Sequence, residues 1–508
     1  MAKPSYKILQ KLQNGSDIRG VALKGVPGEA VNLTPEVAAQ LGRAFATWLQ
    51  KNKTGSGKVA VGTDSRISGA ALKEAFISGL LEEGRDVMDC GLASTPAMFM
   101  ITIHPDHGVD GGVMLTASHL PFNRNGMKFF TAKGGLEKGN VRELLQIAAE
   151  NRPETDVEEG QREKVDFISE YSAFLVDTIR KGVNAPDHSQ TPLQGLKIIV
   201  DAGNGAGGFF ADKVLEPLGA DTSGSQFLVP DGRFPNHVPN PEDGEAMASI
   251  CNAVLSEKAD LGIIFDTDVD RSALVDAAGN AINRNELIAL ISAVILEEHP
   301  GSTIVTDSIT SAGLQWFIEK HLKGRHHRFK RGYKNVINES IRLNQDGTES
   351  WLAIETSGHA ALKENHFLDD GAFLVAKLLI QMAKLNQTGK SLGDLISPLP
   401  RSLESGEFRL KIKEDDFAAY GSGVLEQLGT LLESEDGWSP EVPNYEGIRI
   451  QCNHESEKGW FLLRISLHDP EMALNIESTV KGGVDRIRVR LQKQLSGFNK
   501  LDITAINL

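Results

Sequence analysis

A repeated local pattern constrains the fold of this chain more than any other feature of its sequence. An apolar, strand-like run leads into a polar or glycine-rich turn with an aspartate, and a helical pattern follows, at residues 59–64, 198–205 and 303–307. Strands that alternate with helices in this way form α/β units with largely parallel sheets. We therefore predict an α/β protein with three successive α/β domains whose sheets are mostly parallel.

The last hundred residues have a different character. After Pro-Leu-Pro at 398–400, apolar and polar residues alternate at 407–412 and 447–450, which is typical of half-exposed antiparallel strands packed with helices. This predicts a smaller α+β domain at the carboxyl end. Polar stretches at 151–164 and 184–192 separate the first two units. The predicted domains span residues 1–165, 190–300, 301–400 and 405–508.

Composition excludes several classes of protein. A chain of 508 residues is too long for one core, and 40% hydrophobic with 24% charged residues is typical of folded domains. The net charge of −15 argues against nucleic acid or an anionic membrane as partner. We found no apolar run of membrane-spanning length and no apolar signal region at the start, so we expect a cytoplasmic protein. Cys90, Cys251 and Cys452 lack metal-like spacing, and we expect buried thiols.

A serine beside a histidine is the first candidate for chemistry. Residues 116–121 read Thr-Ala-Ser-His-Leu-Pro and follow the apolar run 112–115. A buried strand would carry Ser118 and His119 to a loop at its carboxyl end, where open α/β sheets bind their ligands. Such a serine could carry phosphate, although a Ser-His pair is also a common surface coincidence.

Three alternating aspartates are the second candidate. Asp266, Asp268 and Asp270 follow the apolar run 259–265 and precede Arg271. Carboxylates at positions i, i+2 and i+4 of a loop can converge on one Mg²⁺ that keeps open positions for a phosphate. An acidic, solvated turn is the alternative interpretation. An EF-hand fits less well because the glycine and the spaced glutamate of such a loop are missing.

Two later turns carry polar side chains suited to a sugar and to a phosphate. The first follows the apolar residues 351–353, and the second ends the strand-like run that begins at 461. The side chains concerned are Glu355, Ser357 and His359 in the first turn and Arg464, Ser466 and His468 in the second.

With its four loops in this order, the chain resembles the α-D-phosphohexomutase family, the phosphoglucomutases and phosphomannomutases. Members of that family carry a phosphoserine loop, a metal loop, a sugar loop and a phosphate loop in the same order. The resemblance covers nearly the whole chain and includes further matches at 17–20, 61–66, 125–128 and 234–242. It implies four domains around a central cleft and an enzyme that interconverts the 1-phosphate and 6-phosphate of glucose or mannose.

The resemblance also implies roles for individual residues. Ser118 would carry the phosphate, Mg²⁺ would be the cofactor, and a hexose 1,6-bisphosphate would be the intermediate and activator. The implied metal ligands are Ser118, Asp266, Asp268 and Asp270. The implied catalytic residues are Ser118, Lys128 and His359 for transfer and protons, Arg19 to support the phosphoserine, and His119 to orient its loop. The implied substrate-binding residues are Arg271, Glu355, Ser357 and Lys334, with Arg464, Ser466 and His468 for the distal phosphate.

The chain departs from the family pattern at several positions. Leu120 replaces a usual asparagine, Thr267 and Val269 stand where glycines are common, and His468-Asp469 replaces small hydroxyl residues. An altered fourth loop leaves open a hexose-1,6-bisphosphate synthase on the same scaffold. An inactive sugar-phosphate sensor is a third hypothesis, against which the intact Ser118 and the three aspartates argue. The expected partners are small sugar phosphates, and the expected state is a monomer or homodimer.

Overall fold

The protein is described by a computed structural model that covers residues 6–52, 55, 57–150, 157–184, 190–466 and 469–507. His468 of the predicted phosphate loop lies outside these residues. The chain forms two compact units: one runs to Asn283 and includes Ser357–Leu392, and the other contains Arg284–Thr356 and continues from Gly393. Within the described residues, no helix is long and apolar enough to cross a membrane.

The first unit begins with an eight-stranded mixed sheet in the order β1-β2-β6-β5-β3-β4-β8, with β7 paired to β6. Strands β5, β3, β4 and β8 are parallel, whereas β2 and β6 are antiparallel to their neighbours. The elements are α1 Tyr6–Leu9, β1 Gln13–Asn14, β2 Asp17–Val21, α2 Pro35–Lys51, β3 Lys58–Thr63, α3 Gly69–Leu81, β4 Asp86–Leu92, α4 Thr95–Ile103, β5 Gly111–Leu115, β6 Arg124–Thr131, β7 Gly134–Gly135, α5 Lys138–Ala149, β8 Arg162–Lys164 and α6 Phe167–Val183.

Glycines allow two helices on this sheet to pack closely. A Cβ on Gly42 of α2 would lie 2.2 Å from the carbonyl oxygen of Phe76, and one on Gly79 of α3 would lie 2.1 Å from that of Ala39. Larger residues would force the helices apart, because interiors are close-packed. This contact brings α2 and α3 onto one face of the sheet and buries the aromatic core around Phe45.

A second mixed sheet of the first unit has the order β12-β11-β10-β9. Strands β9 and β10 are parallel, while β10 and β11 form an antiparallel hairpin in which Phe265 pairs with Ser272. The residues between this pair are the predicted metal loop, which is therefore a hairpin loop. The elements are β9 Ile198–Asp201, α7 Gly244–Glu257, β10 Leu261–Phe265, β11 Ser272–Asp276 and β12 Ala281–Ile282.

The second unit begins with the third α/β domain. Strand β13 is flanked by β14 and β15, both parallel to it. The elements are α8 Arg284–Glu298, β13 Thr303–Thr306, α9 Ala312–Trp316, β14 Arg325–Arg328, α10 Tyr333–Gln345 and β15 Ser350–Ile354. The chain then returns to the first unit as β16 Ala360–Leu362, β17 Leu368–Asp369 and α11 Gly371–Asn386. There α11 packs on α6, and β16 pairs with β17 in antiparallel fashion.

The carboxyl-terminal part of the second unit is a six-stranded antiparallel sheet in the order β19-β20-β21-β22-β18-β23. Apolar side chains from one sheet face and from two helices form its core. The elements are α12 Leu392–Ile396, β18 Glu404–Ile412, α13 Phe417–Leu432, β19 Trp438–Pro440, β20 Ile448–Cys452, β21 Gly459–Ile465, β22 Glu471–Ser478, α14 Gly483–Leu495 and β23 Leu501–Asp502.

The observed architecture has the predicted classes of domain. Three α/β sheets are followed by an antiparallel α+β domain, and the first two sheets combine parallel pairs with antiparallel hairpins. One smaller expectation was wrong. Cys90 and Cys452 are buried free thiols, but Cys251 on α7 is only partly buried because it lies near the edge of the helix face that packs on the sheet.

Candidate active site

Ser118 lies in a strained loop directly after the buried strand β5. Its φ of 51° is in the left-handed region, which is uncommon for a residue with a side chain. The Ser118 N–H donates to Oγ1 of Thr116 at 2.9 Å, and the side chain is almost fully buried. The loop therefore presents the Ser118 hydroxyl in one defined direction, as the sequence predicts.

The side chain of Arg66 fixes the backbone of the loop that contains Ser118. Its guanidinium donates to the backbone carbonyls of Ser118, Leu120, Pro121 and Arg124. The side chain is completely buried, and its charge is balanced by Asp64, whose Oδ2 lies 3.3 Å from Nε. One buried arginine thus satisfies four carbonyls of an irregular loop and keeps the loop in place.

The three aspartates of the β10–β11 hairpin converge as predicted. One carboxylate oxygen from each of Asp266, Asp268 and Asp270 lies within 4.8 Å of the others, and all three side chains are buried. Between them, Val269 has a φ of 68°, a conformation that a glycine adopts without strain. Its side chain is fully buried, and that burial offsets part of the strain at a position where the family pattern has glycine.

The serine hydroxyl belongs to the same cluster as the aspartates. Oγ of Ser118 donates to Oδ2 of Asp266 at 2.9 Å, and Nη2 of Arg271 donates to Oγ at the same distance. Arg271 also bonds Asp266 through Nη2 at 3.0 Å. The phosphoserine loop and the metal loop, about 150 residues apart in sequence, therefore meet at one hydroxyl oxygen.

Lys128 and Thr95 bind the other two carboxylates. Nζ of Lys128 donates to Asp268 at 2.9 Å and also to Asp270, and the Thr95 hydroxyl donates to Asp268 at 2.5 Å. All these contacts use Oδ2. Among the described residues, Oδ1 of Asp268 and Oδ1 of Asp270 are buried without a hydrogen-bond partner.

These two buried oxygens test whether the site fits a divalent cation. A buried carboxylate oxygen without a partner is costly, and hard oxygen ligands are the ones that Mg²⁺ prefers. The residues present therefore fit the magnesium ion that the sequence predicts. Ser118, Asp266, Asp268 and Asp270 would hold it.

Burial and neighbouring charges set the protonation of the aspartates in opposite directions. For Asp266, burial and the charges of Asp270 and Asp268 raise the pKa of the carboxyl well above its usual range. For Asp270, burial opposes ionisation, but the positive charges of Lys128 and His359 outweigh it and lower the pKa. The negative charge in this loop is thus concentrated on the side of Asp270, next to Lys128.

His359 reaches the same cluster from the turn that precedes β16. Its Nδ1 lies 2.7 Å from Oδ2 of Asp369 and 4.0 Å from Oδ1 of Asp270. Burial disfavours the imidazolium, but the charges of Asp369 and Asp270 outweigh burial and raise the pKa of His359 to about 9. His359 therefore carries a proton at neutral pH, which suits a proton donor.

The turn that holds His359 depends on a glycine. A bridge pairs Arg271 with His359, and a Cβ on Gly358 would lie 2.8 Å from the carbonyl oxygen of Ser272. Gly358 also has a φ of 94°. Ser357, the predicted sugar-binding residue beside it, is buried in the same turn. The turn therefore packs directly on the end of the metal hairpin.

His119 has the opposite protonation state from His359. Its Nδ1 accepts from Nη2 of Arg271 at 2.7 Å and lies 3.3 Å from Oγ of Ser118. Burial and the charges of Arg271 and Arg19 lower the pKa of His119 to about 3. A neutral ring can accept from Arg271, and it is not an imidazolium that could act as an acid at neutral pH.

Arg19 lies at the edge of this cluster. It is on β2, pairs with Asp17 at 3.1 Å, and its side chain is 20% exposed. Its charge contributes to the lowered pKa of both His119 and Arg66, so it is near the serine loop. Arg19 therefore contributes positive charge near the serine loop.

The remaining predicted residues belong to the second unit. Glu355 follows β15 and accepts from the Gly332 N–H at 2.6 Å, and Gly332 directly precedes helix α10, on which Lys334 lies. A carboxylate and a lysine thus lie near the same helix start. The hydrogen bond from the Gly332 N–H orients the Glu355 carboxylate.

Arg464 and Ser466 lie at the end of β21. Arg464 is 5% exposed, and burial and the charges of Arg331 and Arg409 lower its pKa against the opposing effect of Glu446. Ser466 accepts from the Asp469 N–H at 3.3 Å. A buried arginine with two further cations near enough to lower its pKa suits the binding of an anion.

The sequence did not identify four side chains of the site. Arg66 is within the noted stretch 61–66, yet no role follows from it there. Thr95, Asp369 and Asp64 act by binding Asp268, His359 and Arg66, respectively. An arginine two residues after a strand-end aspartate is the one signal that could have pointed to the pair Asp64 and Arg66.

Comparison with known proteins supports a single family. Models described as phosphoglucomutase/phosphomannomutase, alpha/beta/alpha domains I, II and III match residues 10–154, 173–279 and 283–402. A phosphomannomutase/phosphoglucomutase of Pseudomonas putida is 30% identical over 483 residues, which cover 94% of this chain and 95% of the relative. A phosphoglucomutase of Neisseria gonorrhoeae is 28% identical over 94% of this chain and 95% of its own.

A solved structure gives the same result. The crystal structure of a phosphoglucomutase/phosphomannomutase family protein from Burkholderia thailandensis is similar, with a TM-score of 0.78 and 27% identity. The match covers 96% of this chain and 98% of that one.

Proposed function

The chain belongs to the phosphoglucomutase/phosphomannomutase family of α-D-phosphohexomutases, and from this premise we propose how its residues act. The enzyme is a hexose phosphate mutase, which interconverts hexose 1-phosphate and hexose 6-phosphate. The observation that supports our proposal most directly is the hydrogen bond between Oγ of Ser118 and Asp266, inside a cluster of three buried carboxylates.

Ser118 is the proposed carrier of the phosphoryl group. In the first half of the reaction, the bond between phosphorus and Oγ of Ser118 breaks, and phosphorus bonds to the free hydroxyl oxygen of the bound sugar phosphate. The product of this step is a hexose 1,6-bisphosphate. In the second half, the other phosphoryl group of that bisphosphate returns to Oγ, and the isomeric monophosphate leaves.

Mg²⁺ held by Asp266, Asp268, Asp270 and Ser118 would supply positive charge next to the transferred group. Arg271 adds a fixed positive charge at Oγ of Ser118 and keeps that oxygen in place through both halves of the reaction. His119 accepts from Arg271 and orients its guanidinium. These residues position the reacting oxygen so that little reorganisation is needed.

Protons move through Lys128 and His359 in this proposal. The attacking sugar hydroxyl loses a proton. Lys128 is the proposed acceptor in its neutral amine form, because the ammonium that pairs with Asp268 and Asp270 has no lone pair to accept one. The oxygen of Ser118 regains a proton when the phosphoryl group leaves, and His359, protonated at neutral pH, is the proposed donor. Arg19 is proposed to bind the phosphate on the serine.

The sugar and the distal phosphate are assigned to residues of the second unit together with Ser357. Glu355 and Ser357 are proposed to bind sugar hydroxyls, with Lys334 nearby. Arg464 and Ser466 are proposed to bind the phosphate that is not being transferred, and His468 keeps the same role as a prediction from the sequence. The cytoplasmic location and the monomeric or homodimeric state also stay predictions.

Phosphorus NMR tests this function directly. The purified protein is incubated with Mg²⁺ and glucose 1-phosphate or mannose 1-phosphate, with and without a trace of the matching 1,6-bisphosphate. We expect net conversion to the 6-phosphate and faster conversion with the bisphosphate. Accumulation of bisphosphate without isomerisation would indicate a synthase, and no turnover of either sugar in any condition would contradict the proposal.

A further inference from the structure

Two histidines and a glutamate form a cluster on the first unit, apart from the residues assigned above. Nε2 of His107 lies 2.7 Å from Oε2 of Glu170, and the rings of His104 and His107 have centroids 4.9 Å apart. One possible ligand atom from each of the three residues lies within 4.8 Å of the others. In a tetrahedral zinc site, with metal–ligand distances of about 2.0–2.1 Å, such atoms are roughly 3.3 Å apart.

The fold holds these three side chains toward one another. His104 caps the end of α4, and His107 follows in the next turn. Both imidazoles pack edge-on against the buried ring of Phe167, the first residue of α6, at centroid distances of 5.8 and 5.3 Å. Glu170 is one helical turn after Phe167 and so lies on the same face of α6. The end of one helix and the start of another thus build the cluster.

The chemistry of the cluster favours zinc over magnesium. Two imidazole nitrogens and one carboxylate oxygen are a common ligand set for Zn²⁺, whereas Mg²⁺ prefers oxygen ligands and water. One hydrogen bond competes with a metal ion for Nδ1 of His104. It comes from the Asp106 N–H and is weak, with a length of 3.4 Å. The histidine side chains are partly buried, so they lose little conformational freedom when they bind a metal ion. Glu170 is exposed, which leaves room for water as a fourth ligand.

We propose that His104, His107 and Glu170 bind one Zn²⁺ that links the end of α4 to the start of α6. The site shares no residue with the proposed mutase chemistry. Zinc binding would stiffen α4. Thr95 at the other end of α4 bonds Asp268 of the metal hairpin, so a zinc ion at the far end would fix the helix that supports this hairpin.

Zinc binding to the full-length protein tests the proposal. The protein is stripped with a chelator, placed in excess Mg²⁺ to fill the aspartate site, and titrated with a buffered zinc solution in a calorimeter. We expect one zinc ion per chain and a higher melting temperature with zinc. Cobalt used as a probe should give the visible absorption of a four-coordinate ion with nitrogen ligands, in contrast to the weak absorption of an all-oxygen site.

Matched variants distinguish zinc binding at this cluster from zinc binding elsewhere on the protein. In His107→Ala and in the isosteric Glu170→Gln, we expect zinc affinity to fall by about tenfold to a hundredfold or more, because second-shell changes alone have effects of that size. His454→Ala removes a surface histidine paired with Asp436 and should bind zinc as the parent does. Equal zinc affinity in all four proteins, or no zinc uptake in excess Mg²⁺, would show that the cluster is a surface ion pair only and would overturn the proposal.

Discussion

At the scale of single residues, the reacting oxygen is held by hydrogen bonds rather than by its backbone preference. Ser118 has a positive φ, which costs of order 1–3 kcal/mol for a residue with a side chain. Four carbonyl contacts from Arg66 and the bonds of Oγ to Asp266 and Arg271 offset this strain. Strain of this kind persists only where surrounding contacts determine the conformation.

Replacing the nucleophile should separate chemistry from folding. In Ser118→Ala, phosphoryl transfer should be abolished because no oxygen remains to carry phosphate. Stability should change little, since Arg271 and Asp266 still bond each other at 3.0 Å. Mutase assays, intact-protein mass spectrometry and urea unfolding check both parts. Ser256→Ala, on the exposed face of α7, is the control. Undiminished turnover in Ser118→Ala would exclude the proposed carrier.

The pKa of His359 predicts a pH dependence. Protonated His359 is present below its pKa of about 9 and is lost as the pH rises through that value, so kcat/KM should fall there. In Asp369→Asn the imidazolium loses its strongest neighbouring charge, and the fall should move to lower pH. In His359→Gln the alkaline limb of the pH profile, which is this fall in kcat/KM, should disappear, and the activity should be lower at every pH.

Steady-state kinetics over about four pH units, from roughly pH 6 to roughly pH 10, measure the alkaline limb in each protein. His321→Gln, a change on the surface of the second unit, serves as control. An alkaline limb that is the same in Asp369→Asn and in the parent would remove His359 as the proton donor.

At the scale of loops and hairpins, buried charges hold two irregular segments together. Arg66 and Asp64 form a fully buried pair beneath the serine loop. Burial, only partly opposed by Arg66, raises the pKa of Asp64 to about 6. Because burial of the Asp64 carboxylate is costly, its contribution to stability depends on the charge of Arg66.

Removing that partner should destabilise the first unit. In Arg66→Met we expect a loss of about 3–5 kcal/mol in the free energy of unfolding, because a buried charge and four carbonyls lose their partner. The double variant Asp64→Asn with Arg66→Met should recover part of this loss. Urea unfolding measures both, and Arg233→Met, at a side chain that is 74% exposed, is the control. A loss no larger than that of the control would contradict the role of Arg66.

The metal hairpin predicts a dependence on divalent cations. Chelation should abolish transfer, and added Mg²⁺ should restore it. Asp268→Asn removes one charge and one proposed ligand, and it should raise the Mg²⁺ concentration needed for half-maximal activity by at least about tenfold to a hundredfold, the effect of changing a residue behind a ligand. Titration of activity with Mg²⁺ checks this. Full activity after chelation, or an unchanged requirement in Asp268→Asn, would contradict the assignment.

At the scale of the whole molecule, the proposed work is shared between the two units. The residues proposed for transfer belong to the first unit, while Arg464, proposed for the distal phosphate, belongs to the second. A bisphosphate that is held weakly at its distal end should escape before its second phosphate is transferred. A substitution in the second unit should therefore weaken the binding of the distal phosphate without removing the residues proposed for transfer.

Arg464→Lys tests this division. A lysine keeps the charge but loses the paired N–H groups that match a phosphate. We expect a higher KM for both monophosphates, more bisphosphate released per turnover, and a higher concentration of added bisphosphate needed to phosphorylate Ser118. Phosphorus NMR and mass spectrometry follow these quantities, with Lys413→Arg, on the exposed side of the same domain, as control. Unchanged KM and release would remove Arg464 from the phosphate site.

Much of the fold and part of the site follow from short-range patterns. Alternating strands and helices indicate an α/β chain because hydrophobic periodicity is local. The convergence of Asp266, Asp268 and Asp270 also follows from spacing, since these residues share one tight hairpin. The exposure of Cys251 and the antiparallel hairpins in the first two sheets did not follow, because both depend on how elements pack and pair.

The amino-acid order alone was sufficient for the class of fold, the family resemblance, the serine and the three carboxylates, because each is encoded within a few consecutive residues. The contacts of Arg66 with the serine loop, of Thr95 with Asp268 and of Asp369 with His359 emerged only when distant segments were brought together. The same holds for protonation. His119 and His359 are the same residue type, yet burial and neighbouring charges lower the pKa of one to about 3 and raise that of the other to about 9.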